Sequence, residues 1–140
     1  MMQASRQLRI GGLAAMLAVV SACTIPEPKV DENALPTEYK PKLIEYLHGR
    51  LPDPTGVRDA FISEPAMRPV DTRTSRYVVC VKFNAKEPGG QYAGSKEMAA
   101  IFYAGQLTHA LAGTRELCGG AVYQPFPELT KLCREIRCPT

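Results

Sequence analysis

Apolar and polar positions alternate most cleanly over residues 76–85 (RYVVCVKFNA). Tyr77, Val79, Val81 and Phe83 fall on one side of an extended chain, and Val78, Cys80, Lys82 and Asn84 on the other. A period of two predicts a half-buried β-strand. Ahead of it, Leu43, Ile44, Leu47 and Leu51 repeat at helical spacing, which predicts a short amphipathic helix opened by Pro41 and stopped by Pro52 and Pro54. Asp53 is placed to cap the turn that follows. Residues 57–63, with Val57, Phe61 and Ile62, predict a first strand. Residues 98–103 and 106–111 are apolar runs flanking Ala104-Gly105, the spacing of a tight hairpin. A helix through residues 96–111, favoured by Ala99, Ala100, Ala104 and Ala110, competes with it. Pro127 and Glu128 open a terminal helix whose apolar face is Leu129, Leu132, Cys133 and Ile136. The predicted fold class is α+β: an N-terminal amphipathic helix, a three- to four-stranded antiparallel sheet and a short C-terminal helix around one core.

With 140 residues and 45% hydrophobic content, the chain has room for one such domain. It is too short for the barrel and doubly wound folds, and no phosphate-binding glycine pattern occurs. The globular part is expected over residues 37–140.

The first 22 residues do not fit that domain. Arg6 and Arg9 precede an uncharged apolar run, residues 10–20, and then Ser21, Ala22 and Cys23. This is the build of an export signal, and the run is shorter than the roughly 20 residues that span a bilayer. The tetrad Val20-Ser21-Ala22-Cys23 resembles the bacterial lipoprotein lipobox. That resemblance implies cleavage of residues 1–22, a diacylglycerol on the Cys23 sulfur, acylation of the new amino terminus, and membrane partnership through the acyl chains. Because Thr24 stands where an inner-membrane retention aspartate would be, the resemblance places the protein at the outer membrane, facing the periplasm. Loss of Arg6 and Arg9 lowers the formal charge from +3 to +1. Residues 24–36 carry three prolines and four charges without apolar periodicity, and read as a flexible tether from residue 23 to residue 36.

Assigning Cys23 to lipid leaves Cys80, Cys118, Cys133 and Cys138, an even number suited to disulfides outside the cytosol. Three connectivities are open; the preferred one pairs Cys80 with Cys118 and Cys133 with Cys138. The spacings fit neither a zinc site nor a redox-active pair, so neither a metal nor another cofactor is expected.

The segments Asp53-Pro54-Thr55, residues 78–86, residues 89–94 and residues 123–129 together resemble small uncharacterised bacterial envelope lipoproteins over residues 36–132. The resemblance implies an exported domain and supplies no functional residue.

Catalysis is not expected. The two histidines, His48 and His109, are isolated from any serine in a glycine-flanked elbow, and the carboxylates show no paired spacing. A near-neutral charge with scattered basic residues argues against nucleic acid. The expected role is a binding or assembly module, with a disguised hydrolase of envelope components as the alternative. Asn84, Lys86, Tyr92 and Lys96 gather around a glycine-rich loop and form the candidate surface for another envelope protein, a peptide or a glycan.

Overall fold

The computed structural model describes Cys23 and residues 25–134; the signal segment, Thr24, Ile136 and Cys138 lie outside the described residues. In chain order the elements are α1 (Tyr39–Arg50), β1 (Asp53–Ser63), β2 (Ala66–Pro69), β3 (Ser75–Lys86), β4 (Lys96–Tyr103), β5 (Gln106–Ala112), α2 (Arg115–Cys118), β6 (Tyr123–Pro125) and α3 (Pro127–Thr130). The strands form one antiparallel sheet in the order β5-β4-β3-β1-β6, with β2 also on β3.

Six strands stand where three or four are expected, and the reason lies in β1. Its register against β3 slips twice, between Asp53 and Arg58 and again between Arg58 and Phe61. Gly56 (φ +69°) and Asp59 (φ +50°) supply the left-handed backbone there, as bulges require. These irregularities let the strand start at Asp53, before the Pro54 and Gly56 that read as turn residues. After Ser63 the chain bends through Glu64-Pro65 and resumes on β3 as β2, with Ala66 opposite Val78. At the bend the Cys80 amide donates to the Ser63 hydroxyl at 2.9 Å, so a buried side chain accepts the hydrogen bond a strand carbonyl would otherwise take.

One face of the sheet holds Val79, Val81, Ala100 and Phe102 under Leu43 and Leu47 of α1, with Phe126 and Leu129 from the chain end. The terminal helix is a single turn, shorter than the periodicity through Ile136 predicts. Of the described residues on its expected face, Leu129 is fully buried and Leu132 and Cys133 are partly buried. The opposite face is covered in its middle by α2, which lays Leu117 and Cys118 over Val78, Cys80, Ala99 and Ile101. Residues 78–81 are therefore buried on both sides rather than one. Thr114 caps α2 by accepting from the Leu117 amide at 3.3 Å.

The hairpin of β4 and β5 turns at Ala104 (φ +50°) and Gly105 (φ +72°), the paired positive φ of a type I′ turn. The last residues of the expected tether dock beside it. Ala104 donates to the Glu32 carbonyl at 2.8 Å, Arg76 pairs with the Glu32 carboxylate at 2.9 Å, and Pro36 is fully buried.

Candidate functional site

At the end of the sheet where β3 runs out and β4 begins, the structure brings Asn84, Lys86, Tyr92 and Lys96 together. Asp53 lies opposite Lys86, and Arg58 opposite Asn84, across the β1–β3 ladder. The loop between β3 and β4 is closed by a bridge of Lys86 with Tyr92 and by the Glu87 amide donating to the Gln91 carbonyl at 2.8 Å. The Gly94 amide donates to Asn84 Oδ1 at 3.1 Å, and Tyr92 donates through its hydroxyl to the Gly56 carbonyl at 2.6 Å. Lys96 pairs with Glu87 at 2.8 Å.

Most of the polar groups in this cluster are thus spent on shaping the loop. Lys86 Nζ lies 3.9 Å from Asp53 Oδ2. Asp53 is held below the usual carboxylate range, chiefly by the Thr55 hydroxyl and amide that it accepts from, with Lys86 adding to the effect. The Arg58 guanidinium lies 3.9 Å from the centre of the Tyr92 ring, a cation–π contact. Gly56 beneath it takes a left-handed φ of +69°, and a Cβ there would crowd Tyr92 Oη at 3.1 Å and Lys86 Nζ at 3.2 Å, so a side chain at this position is strained. The result is a partly exposed rim in which a cation and an aromatic ring are held against each other.

Two polar groupings were not legible in the sequence. On the face of the sheet beside that rim, Lys82 lies opposite Glu97, with 3.7 Å between their charged atoms, and sits 4.1 Å above the Tyr123 ring. Tyr123 also donates to Glu97; burial first, then Glu97, pushes its hydroxyl well above the ordinary tyrosine value. The second grouping centres on Glu64, which accepts from Tyr39 at 3.0 Å and from Gln124 at 2.6 Å. Burial followed by the Glu64 contact pushes the Tyr39 hydroxyl up to about 12. Glu64 borders a cleft of 310 Å³ between β2 and the segment before β6, floored by Val78, Cys80 and Leu117. The β3–β4 pairing would have revealed Lys82 with Glu97. No local signal marks Tyr123 or Gln124, because β6 is three residues long.

Cys80 and Cys118 form a disulfide with 5.8 Å between their Cα atoms. Cys133 is also disulfide-bonded; its preferred partner, Cys138, lies outside the described residues. Cys23 is exposed and carries no disulfide. His48 Nε2 lies 3.0 Å from the Cys133 carbonyl, while His109 stands exposed on β5. Among the described residues, no three His, Cys, Asp or Glu side chains are grouped to hold a metal ion. No described helix is long and apolar enough to cross a membrane. No protein-family model matches this chain, and neither a curated protein nor a solved structure matches it.

Proposed function

We propose that this protein is a lipid-anchored component of the bacterial cell envelope, held at the outer membrane on the periplasmic side, that works by binding or assembly and not by catalysis. The observation that carries the reading is the tetrad Val20-Ser21-Ala22-Cys23 at the end of an uncharged apolar run behind two arginines. Two or three long acyl chains at Cys23 would hold the protein on a bilayer in effect permanently, since each buried methylene contributes about 0.8 kcal/mol.

The cysteine chemistry supports the reading. Cys80, Cys118 and Cys133 are oxidised, as suits a compartment outside the cytosol, whereas Cys23 remains exposed and unbridged. The rim built from Arg58, Asn84, Lys86, Tyr92 and Lys96 is the surface offered to a partner, either another envelope protein, a peptide or a glycan. A prepositioned guanidinium and aromatic ring suit such recognition, because little side-chain entropy remains to be lost on binding.

Intact-mass measurement of the mature protein, with membrane fractionation, tests the anchor. The expected mass is that of residues 23–140 plus acyl groups, in the membrane fraction, with Cys23→Ser abolishing both. An unmodified Cys23, or an unchanged mass and fractionation in Cys23→Ser, refutes it. For the rim, Arg58→Ala and Tyr92→Ala should each lower co-purification of envelope partners without changing acylation; equal recovery from both variants would remove the rim from the proposal.

A further inference from the structure

Among the described residues, β2, β5 and β6 each pair on one side only, whereas β1 is covered by β6 just at Phe61–Ser63 and is broken by bulges before that; β2 and β6 are blunted. Pro65 and Pro69 bracket β2, while Pro125 ends β6 and is followed by Pro127. Proline removes the N–H that a further strand would need, a common protection of sheet edges. The third edge, β5, is different. Among the described residues it is hydrogen-bonded to β4 on one side only, and its sequence QLTHALA contains no proline, lysine, arginine or carboxylate, in a chain with 17 basic and 14 acidic residues.

The ladder shows which groups this edge presents. The Gly113 amide donates to the Glu97 carbonyl at 2.9 Å, and Ala99 with Leu111 and Ile101 with His109 continue the same register. Hydrogen-bonded pairs alternate along an antiparallel ladder, so the backbones of His109 and Leu111 turn towards β4 and those of Ala110 and Ala112 turn outward. The register slip at Thr108 confines this regular stretch to residues 109–113.

We infer that β5 is a self-association edge, pairing antiparallel with β5 of a second copy of this chain about a two-fold axis at Leu111. Ala110-Leu111-Ala112 reads the same in both directions. The two-fold therefore sets Ala110 opposite Ala112 in two hydrogen-bonded pairs and Leu111 opposite Leu111 between them. Such an interface is isologous, each copy using the same patch. No like charges meet across it, and His109 faces Gly113, which offers no side chain to obstruct it. Leu111, half exposed at 50%, gains cover from its counterpart. A strand edge takes another strand by its chemistry, and self-pairing in this register opposes His109 to glycine, alanine to alanine and leucine to leucine, with no charge and no steric obstruction. The pairing follows from the edge alone and does not depend on Cys23 being acylated.

The test is oxidative cross-linking of the purified full chain with copper phenanthroline, read on a non-reducing gel and by intact mass, with the wild-type chain as baseline. Leu111 pairs are non-hydrogen-bonded across the new interface, at a Cα separation a disulfide can bridge. Leu111→Cys should therefore give roughly tenfold more covalent dimer than Ala110→Cys, whose thiol would face Ala112. Leu111→Lys should sediment as monomer at concentrations where the wild-type chain is dimeric. Dimer from Leu111→Cys no greater than wild type, equal cross-linking of both cysteine variants, or an adduct mass other than two copies would overturn the inference. Retention of the Cys80–Cys118 link by peptide mapping verifies that each variant is folded.

Discussion

Removing the Cys80–Cys118 bridge by the double change Cys80→Ala/Cys118→Ala tests what holds α2 on the sheet. The bridge closes a loop with a sequence separation of 38, for which loss of chain entropy in the unfolded state contributes about 4 kcal/mol. The competing hold on α2 is Leu117, whose burial contributes about 2 kcal/mol. The helix itself is four residues long, far below the length at which a helix persists alone. The bridge should thus dominate. In urea, with an unfolding slope of about 1.5 kcal/mol/M, the midpoint should fall by roughly 2.5 M. Amide exchange at Leu117 should accelerate ahead of exchange at Val79 and Val81 of β3, because the latter two also rest on the α1 side of the core. A loss below about 1 kcal/mol would refute the reasoning, showing that the β3–β4–β5 segment already restrains the loop in the denatured chain.

Gly56→Ala forces a left-handed φ of +69° on a residue with a Cβ and presses it against Tyr92 and Lys86. It should cost about 1–2 kcal/mol, seen as a lowered thermal midpoint, with increased exposure of the Tyr92 ring by near-ultraviolet spectroscopy. Ser63→Ala leaves the buried Cys80 amide without its acceptor and should destabilise by about 1–3 kcal/mol in urea unfolding. Tyr39→Phe addresses alkaline stability. The folded protein keeps the Tyr39 proton up to about pH 12, whereas an unfolded tyrosine releases it near pH 10. The resulting contribution is complete below about pH 10 and is lost as pH climbs through about 12. Urea midpoints measured across this range should decline less steeply in Tyr39→Phe than in the wild-type chain; Tyr123, shifted the same way, retains part of the slope.

The strand at residues 76–85 and the hairpin at Ala104-Gly105 were legible because each carries its signal locally, in alternation or in turn chemistry. Alternation could not show that Val78 and Cys80 would be covered as fully as Val79 and Val81. That cover arrives from α2, 30 and more residues later in the chain, through a disulfide. The strands β2 and β6, of four and three residues, are too short for any period, and each carries a proline that argues against a strand. Both survive because they pair with an already formed partner, a tertiary effect that outweighs local propensity. The grouping of Asn84, Lys86, Tyr92 and Lys96 was readable from their nearness to one glycine-rich loop. Arg58 and Gly56 were not, since their place beside Tyr92 depends on the two register slips in β1.

The docking of Glu32 against the Ala104 turn sets how far the domain can stray. From Cys23 to Glu32 the chain extends at most about 30 Å, so a molecule moored at Cys23 keeps its β4–β5 turn near the lipid headgroups. Tyr92 and Lys96 sit at the other end of β4, eight residues and roughly 27 Å along the strand. On the proposed anchor, the leash therefore enters the domain at the end of β4 opposite the Arg58–Tyr92 rim and does not itself cover that rim.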